Sequence, residues 1–371
     1  MAIPLFDCRV DEAAIAAMTP VLASGQLASG AHVGALESDL SARLSGRPVV
    51  ALSDMTQAIE LALRLAGIGP GDEVLTLSYN CMSSNSAIRN VGASAVWVDI
   101  DPATATMDVG HARSQITPAT RAIIVYHVAG YPADAAALRA LSDEAGLVLI
   151  EDANAALGAS LPDGRAVGTI GDFAIFSFYA SRQVNAIEGA ALLCRDEEDA
   201  ARARRLRRFG IDQGRFRDPL GEIDPRADIA EIGLAATLPN VNAALARHNL
   251  ELLDARQHSV RANAAVMTTA LEHIAGVEAV RPLTGTFPAF WGLLLLCDER
   301  DDLLATLKEK GIGSSKLHQP NHVYSGFGSR AAALPGTDMF IDRILAIPVG
   351  WWIGAAERQQ IVDTIAGALR K

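Results

Sequence analysis

Lysine is almost missing from this chain: among 371 residues there are four, Lys308, Lys310, Lys316 and Lys371. None precedes residue 308, so chemistry that needs a lysine amine as nucleophile has no residue to use in most of the sequence. Basic charge is short overall. The net charge is -11 and the isoelectric point near 5.2, which excludes a surface built to displace counterions from nucleic acid. The run Arg202, Arg204, Arg205, Arg207 and Arg208 is the exception, and it reads as the solvated face of a helix. Cysteines are few and scattered: Cys8, Cys81, Cys194 and Cys297 have no CxxC spacing. Neither a zinc knot nor a disulfide framework is indicated, and a reducing cytoplasm is the expected compartment. Long apolar runs are absent too. The most apolar, Trp291 to Cys297, is far below membrane-spanning length, and MAIPLFDCRVDE lacks a signal peptide's basic and apolar regions, so a soluble, unprocessed protein is expected.

What is present is apolar residue, half of the chain, enough for a large core and two domains. Residues 12–23 and 33–44 have helical spacing, joined by SGQLASGAH. A strand and helix rhythm follows: VVALSD, a helix from Thr56 to Leu65, the turn GIGPGDEV and the strand VLTLS. It continues through a helix over Ser83 to Asn90, AVWVDID, a short helix over Gly110 to Gln115, AIIVYHV, a helix over Asp134 to Ala145 and LVLIEDA. Val/Ile/Leu runs without polar alternation suit strands covered on both faces. The expectation is a three-layer α/β/α large domain with a mostly parallel sheet over residues 1–250. AIFSFY and AALLCR add two short strands, and DQGRFRDPLGEIDPRADIAEIG reads as a long loop. Helical spacing resumes from Asn240 to about Thr269, and residues 251–371 read as a smaller α+β domain.

Ligands of open α/β sheets bind beyond the C-terminal ends of the strands, which singles out three places. SDMTQA, Ser53 to Ala58, offers a helix N-terminus and the Thr56 hydroxyl, a phosphate site or a plain N-cap. Asp152 ends LVLIED and could pair with a protonated ring nitrogen or tie down a turn. Ser177 in FSFY could be a further phosphate ligand or an ordinary strand serine.

The order and spacing of these pieces resemble the DegT/StrS-type sugar aminotransferases, pyridoxal phosphate (PLP) enzymes of aspartate-aminotransferase fold. LASGAHVGALE, GIGPGDEV, GASAVWVDIDPATATMD, ITPATRAIIVYHVAGYPAD, LVLIEDANAALGA, GTIGDFAIFSFY, IEGAALL, HQPNHVYSGF and ILAIPVGWWIGAAERQQIV all take part. The resemblance implies a phosphate held by Thr56, Ser177 and the backbone near Met55, and a pyridinium paired with Asp152, which keeps the ring an electron acceptor. His127 matches a common family position, although a lone histidine beside a strand is more often structural.

The same resemblance puts the Schiff-base lysine at Arg182, in FSFYASRQVNAIEGA. A guanidinium stays protonated and cannot form an imine. Lys308, Lys310 and Lys371 read as solvated, which leaves Lys316, in GSSKLHQPNH, as the one other amine near a segment that approaches the site in relatives. Further positions depart from the family pattern. Ala155 stands where a polar neighbour of the cofactor hydroxyl is usual, Cys81 where an aromatic often stacks, and Ala235 to Asn240 where a neighbouring subunit supplies an asparagine. The expectation is a lysine-less member that acts on or binds a nucleotide-linked keto-sugar, with PLP or its amine form, PMP, bound without a covalent link or not at all. Arg182, His127, Glu188 and His318 are the candidate binding or acid-base groups. A PLP-independent enzyme, a non-catalytic binding subunit and a conventional aminotransferase are the alternatives. A homodimer is expected, with Trp351 and Trp352 either in its interface or anchoring the small domain's core.

Overall fold

The computed structural model describes residues 2–328 and 333–370, so Lys371 lies outside the described residues. Seven strands form the main sheet: β1 Val49–Leu52, β2 Glu73–Leu77, β3 Ser94–Val98, β4 Thr120–Tyr126, β5 Val148–Asp152, β6 Phe173–Ser177 and β7 Ala190–Leu193. Their order across the sheet is β1, β7, β6, β5, β4, β2, β3. The pairs from β6 to β3 are parallel, and only β7 runs against its neighbours. Six strands therefore end on one edge, where β7 begins.

Alternate residues along the strands enter different cores. Val50, Leu52, Ile124, Ile150, Phe173 and Ile175 pack under the helices Met55–Leu65, Met82–Asn90 and Glu197–Leu206. Val49, Ala51, Ile123, Val125, Ala174 and Phe176 face the other way, toward Ala31–Arg43, Ala135–Ala145 and Asn240–Glu251. This is the period of two expected of a sheet with both faces covered, and it gives the three-layer arrangement read from the sequence.

A second, antiparallel sheet has β8 Val277–Ala279, β9 Leu293–Cys297 and β10 Ile344–Ile347 in that order. Leu293, Leu295 and Ile347 face a core with Val260, Leu303 and Ile361, whereas Leu294, Leu296 and Ala346 join the core beneath β4. The small sheet thus leans on the large one. Trp351 and Trp352 pack edge to face within the chain against this second core, with the Arg256 guanidinium over Trp351.

Three local differences from the sequence reading have physical causes. AVWVDID is cut after Val98 because Asp99 is drawn elsewhere: its N–H donates to His111 Nδ1, and its carboxylate accepts from Gly336 N, Thr337 N and Thr337 Oγ1. Asp99 thereby caps the helix Pro335–Arg343 from another part of the chain. Asp99→Ala is expected to lower stability by about 1–2 kcal/mol, as loss of an N-cap does, read as a fall in thermal midpoint. The helical stretch after Asn240 is two helices, Asn240–Glu251 and Leu253–Leu271, which meet at Leu252. The arginine run is largely ion-paired rather than solvated: Arg202 meets Glu231 at 2.9 Å, and Arg204 and Arg207 reach Glu37. Those acids are distant in sequence and close only after folding.

Candidate functional site

The sheet edge where six strands end gathers most of the expected residues. Met55 and Thr56 open the helix after β1, Cys81 follows β2, Asp152 ends β5, Ser177 ends β6 and leads into Arg182, and Glu188 precedes β7. His318 arrives from the second sheet's side, where Asn321 N donates to Ser78 O just after β2.

Asp152 is fully buried and its carboxylate is crowded with donors. Oδ2 accepts from Asn80 Nδ2 at 3.1 Å and Ser84 Oγ at 2.6 Å; Oδ1 accepts from Asn154 Nδ2 at 2.9 Å and Asn154 N at 3.3 Å. A carboxylate offers about four acceptor positions, so this one is saturated. Asn154 turns its other amide atom to Arg182, whose Nη2 donates to Asn154 Oδ1 at 2.9 Å. Arg182, Asn154 and Asp152 thus form a continuous relay.

Arg182 is 8% exposed, and its guanidinium carbon sits 4.2 Å from the Trp291 ring centroid. Phe6 stacks on the same indole at 4.1 Å. Trp291 is held by its own N–H to Ala129 O and by its ring Nε1–H to Ser181 O. Gly130 permits this approach: with φ of +85°, it carries no Cβ to strike Ala155 O and Ala289. Arg182 Nε and Nη1 are buried and meet no acceptor among the described residues. Burial lowers the guanidinium's pKa, opposed by the nearby Tyr126, Cys81 and Asp152, and an arginine so placed still keeps its charge. The site therefore holds a buried cation with two donor nitrogens that lack acceptors among the described residues.

His318 borders it. Tyr126 Oη accepts from Ala129 N and lies within hydrogen-bond distance of His318 Nε2, at 3.2 Å. Burial and then the Arg182 charge push the His318 pKa down to about 3. Because the folded value lies below the unfolded one of about 6.5, the unfolded chain takes up the proton first. Stability from this residue is full above about pH 6.5 and falls as pH drops toward 3. His318→Gln is expected to flatten the decline in thermal midpoint between pH 7 and pH 5; an unchanged slope would contradict it.

The remaining expected residues stand as follows. His127 is fully buried, with Nδ1 accepting from Ala133 N and Nε2 donating to Glu151 Oε2 at 3.1 Å. Both ring nitrogens are used by the scaffold, so the acid-base part expected of it gives way to a structural one. Ser177 Oγ accepts from Tyr179 N. Thr56 lies in the first turn of its helix, whose cap is Asp54, accepting from Gln57 N. Glu188 is exposed as a residue, and the partial burial of its carboxyl, followed by the charge of Asp54, raises its pKa. Two acids therefore flank the turn expected to hold phosphate. Cys81 precedes the helix Met82–Asn90 with its thiol 3.2 Å from Ser83 Oγ, and Ala155 is buried and offers no polar side-chain atom. Asn240 is tied to Gln26 O and His32 N of its own chain. Lys316 Nζ pairs with Asp301 at 2.7 Å, which occupies the amine elsewhere. Sequence reasoning missed Asn154, Tyr126 and Trp291; the polar Asn154 between two alanines in EDANAAL was the available signal.

The family model of the DegT/DnrJ/EryC1/StrS aminotransferases matches residues 9–366. A pleiotropic regulatory protein of Geobacillus stearothermophilus is 30% identical over 353 residues, 93% of this chain and 91% of that one. The sugar aminotransferase CalS13 of Micromonospora echinospora superposes with a TM-score of 0.92 at 33% identity, covering 98% of this chain and 99% of its own. DesI superposes with a TM-score of 0.87 at 29% identity, covering 100% of this chain and 94% of its own. With the match running almost end to end and the fold shared, the chain belongs to the DegT/DnrJ/EryC1/StrS aminotransferase family.

Proposed function

We propose that this chain binds a nucleotide-linked keto-sugar in the family cleft and does not carry out Schiff-base transamination. The observation that carries the reading is Arg182: a buried guanidinium at the position the family motif gives to the lysine, with Nε and Nη1 lacking acceptors among the described residues. A fixed cation with unpaired donors suits the negative groups of a sugar nucleotide. It cannot supply the neutral amine that transamination needs. The structure of DesI was determined in the presence of its TDP-sugar product, which supports the ligand class. Any PLP or PMP taken up by this chain forms no covalent bond with it. We further propose a homodimer in the cytoplasm. A non-catalytic binding role is the second reading, favoured by the occupied Asp152 carboxylate.

The test is calorimetric titration of the purified chain with a TDP-linked keto-sugar. Saturable binding is expected, weakened at least about tenfold in Arg182→Gln, the size of a lost charge-assisted hydrogen bond. Turnover of amino donor and keto-sugar by the native chain with added PLP would overturn the reading, as would the absence of binding.

A further inference from the structure

The residues around Asp152 do not fit a pyridinium, and this disagreement with the family pattern has an identifiable source. We propose that Arg182 and Asn154 act together as a built-in replacement for the cofactor: Asn154 takes Oδ1 of Asp152, Arg182 takes Asn154, and PLP and PMP are excluded from the cleft. The reading above lets PLP or PMP bind without a covalent link, and the relay goes further by closing the cleft to both.

A protonated ring nitrogen needs one open lone pair on the carboxylate, and Asn80, Ser84 and the two Asn154 donors use about four. Freeing Oδ1 would require Asn154 to give up its Nδ2 bond inside a buried site, and the amide cannot rotate without losing its contact to Arg182 Nη2 as well. Breaking two buried hydrogen bonds weakens binding by a factor on the order of a hundred. Arg182 adds a second, fixed positive charge beside the same carboxylate, which disfavours another cation there. At the phosphate end, the Asp54 carboxylate caps the helix that starts at Met55 and accepts from Gln57 N, so an anion there meets an acid. Ala155 contributes no polar atom to the ring's hydroxyl side. Charge and hydrogen bonding oppose the cofactor at both ends.

Two residues hold the relay, so one substitution should not undo it. Retention of PLP and of PMP by the purified chain is measured by equilibrium dialysis, and borohydride treatment followed by peptide mass analysis reads any covalent adduct at position 182. The native chain is expected to retain neither compound. Arg182→Lys supplies an amine but leaves Asn154 on Asp152, and it is expected to give no adduct. The double variant N154A/R182K is expected to retain PLP at least about a hundredfold more tightly than the native chain and to form the adduct. Retention by the native chain, or an adduct in Arg182→Lys alone, would overturn the proposal. So would a folded double variant that retains nothing. Should N154A/R182K fail to fold, N154A/R182Q puts the same question without an amine: reversible retention supports the relay, and none refutes it. The dialysis contains no sugar nucleotide, so its outcome stands apart from the titration that tests nucleotide-sugar binding.

Discussion

Replacing Glu151 by glutamine is expected to lower stability by about 3–5 kcal/mol, the cost of breaking a buried charged network. Glu151 has no exposed surface. Its Oε1 accepts from Ile170 N at 2.7 Å and Gly171 N at 2.6 Å; its Oε2 accepts from Gly168 N at 2.8 Å and His127 Nε2 at 3.1 Å. This one carboxylate organises the loop that returns the chain from β5 to β6, and that loop sets where Ser177 and Arg182 begin. A glutamine amide would aim two N–H groups at donors that already need acceptors, leaving several buried amides unpaired. Burial pushes the Glu151 pKa up, but the His127 hydrogen bond and the Gly171 and Gly168 amides outweigh it and hold it below 4.5. A depressed folded pKa gives stability that is present above about pH 4.5 and is lost as pH falls through the folded value. Thermal midpoints of native and Glu151→Gln chains should therefore converge in acid. A midpoint at pH 7 within a degree or two of native would contradict this account.

Arg182→Met is expected to act in the opposite direction, raising stability by about 1–3 kcal/mol while abolishing nucleotide-sugar binding. Two Arg182 nitrogens are buried without acceptors among the described residues, and a buried charge whose donors are only partly met is worth less to the fold than a well-packed apolar chain of similar length. Methionine keeps the contact with Trp291 through its thioether. The lost bond to Asn154 Oδ1 offsets part of the gain, by about 1 kcal/mol. Stabilisation with loss of binding is the pattern of a residue kept for its function. A drop in thermal midpoint together with retained binding would show that the guanidinium serves the fold instead.

Ile187 fits the same view of this turn. Its φ is +71°, a conformation a β-branched residue rarely adopts, and it lies between Arg182 and Glu188 with most of its side chain exposed. Strain of this kind persists where the surroundings enforce it: Ala186 N donates to Phe178 O, and Asn242 Nδ2 donates to Ala186 O and Glu188 O.

Much of the fold was legible because its signals are local. Apolar runs such as VLTL and VLIED mark strands buried on both faces, and glycine turns and capping acids mark where helices begin. The near-absence of lysine also needs no coordinates: where no lysine exists, folding cannot supply an amine. The strand ILAI was too short to declare itself beside a helix of mixed polarity, and the junction at Leu252 falls within continuous helical spacing.

The site divided along the same line. The sequence placed Thr56, Asp152, Ser177 and Arg182 near the ends of strands, since strand order and length carry that information. It could not say that Asp152 would be filled by Asn80, Ser84 and Asn154, that Trp291 would lie against Arg182 from 109 positions away, or that His127 would spend both nitrogens on the scaffold. Those outcomes depend on pairing across long sequence separations, where hydrogen-bond geometry and burial decide. The sequence alone determined that no lysine precedes residue 308; only the tertiary structure decided that Arg182 is buried, stacked on Trp291 and joined through Asn154 to Asp152.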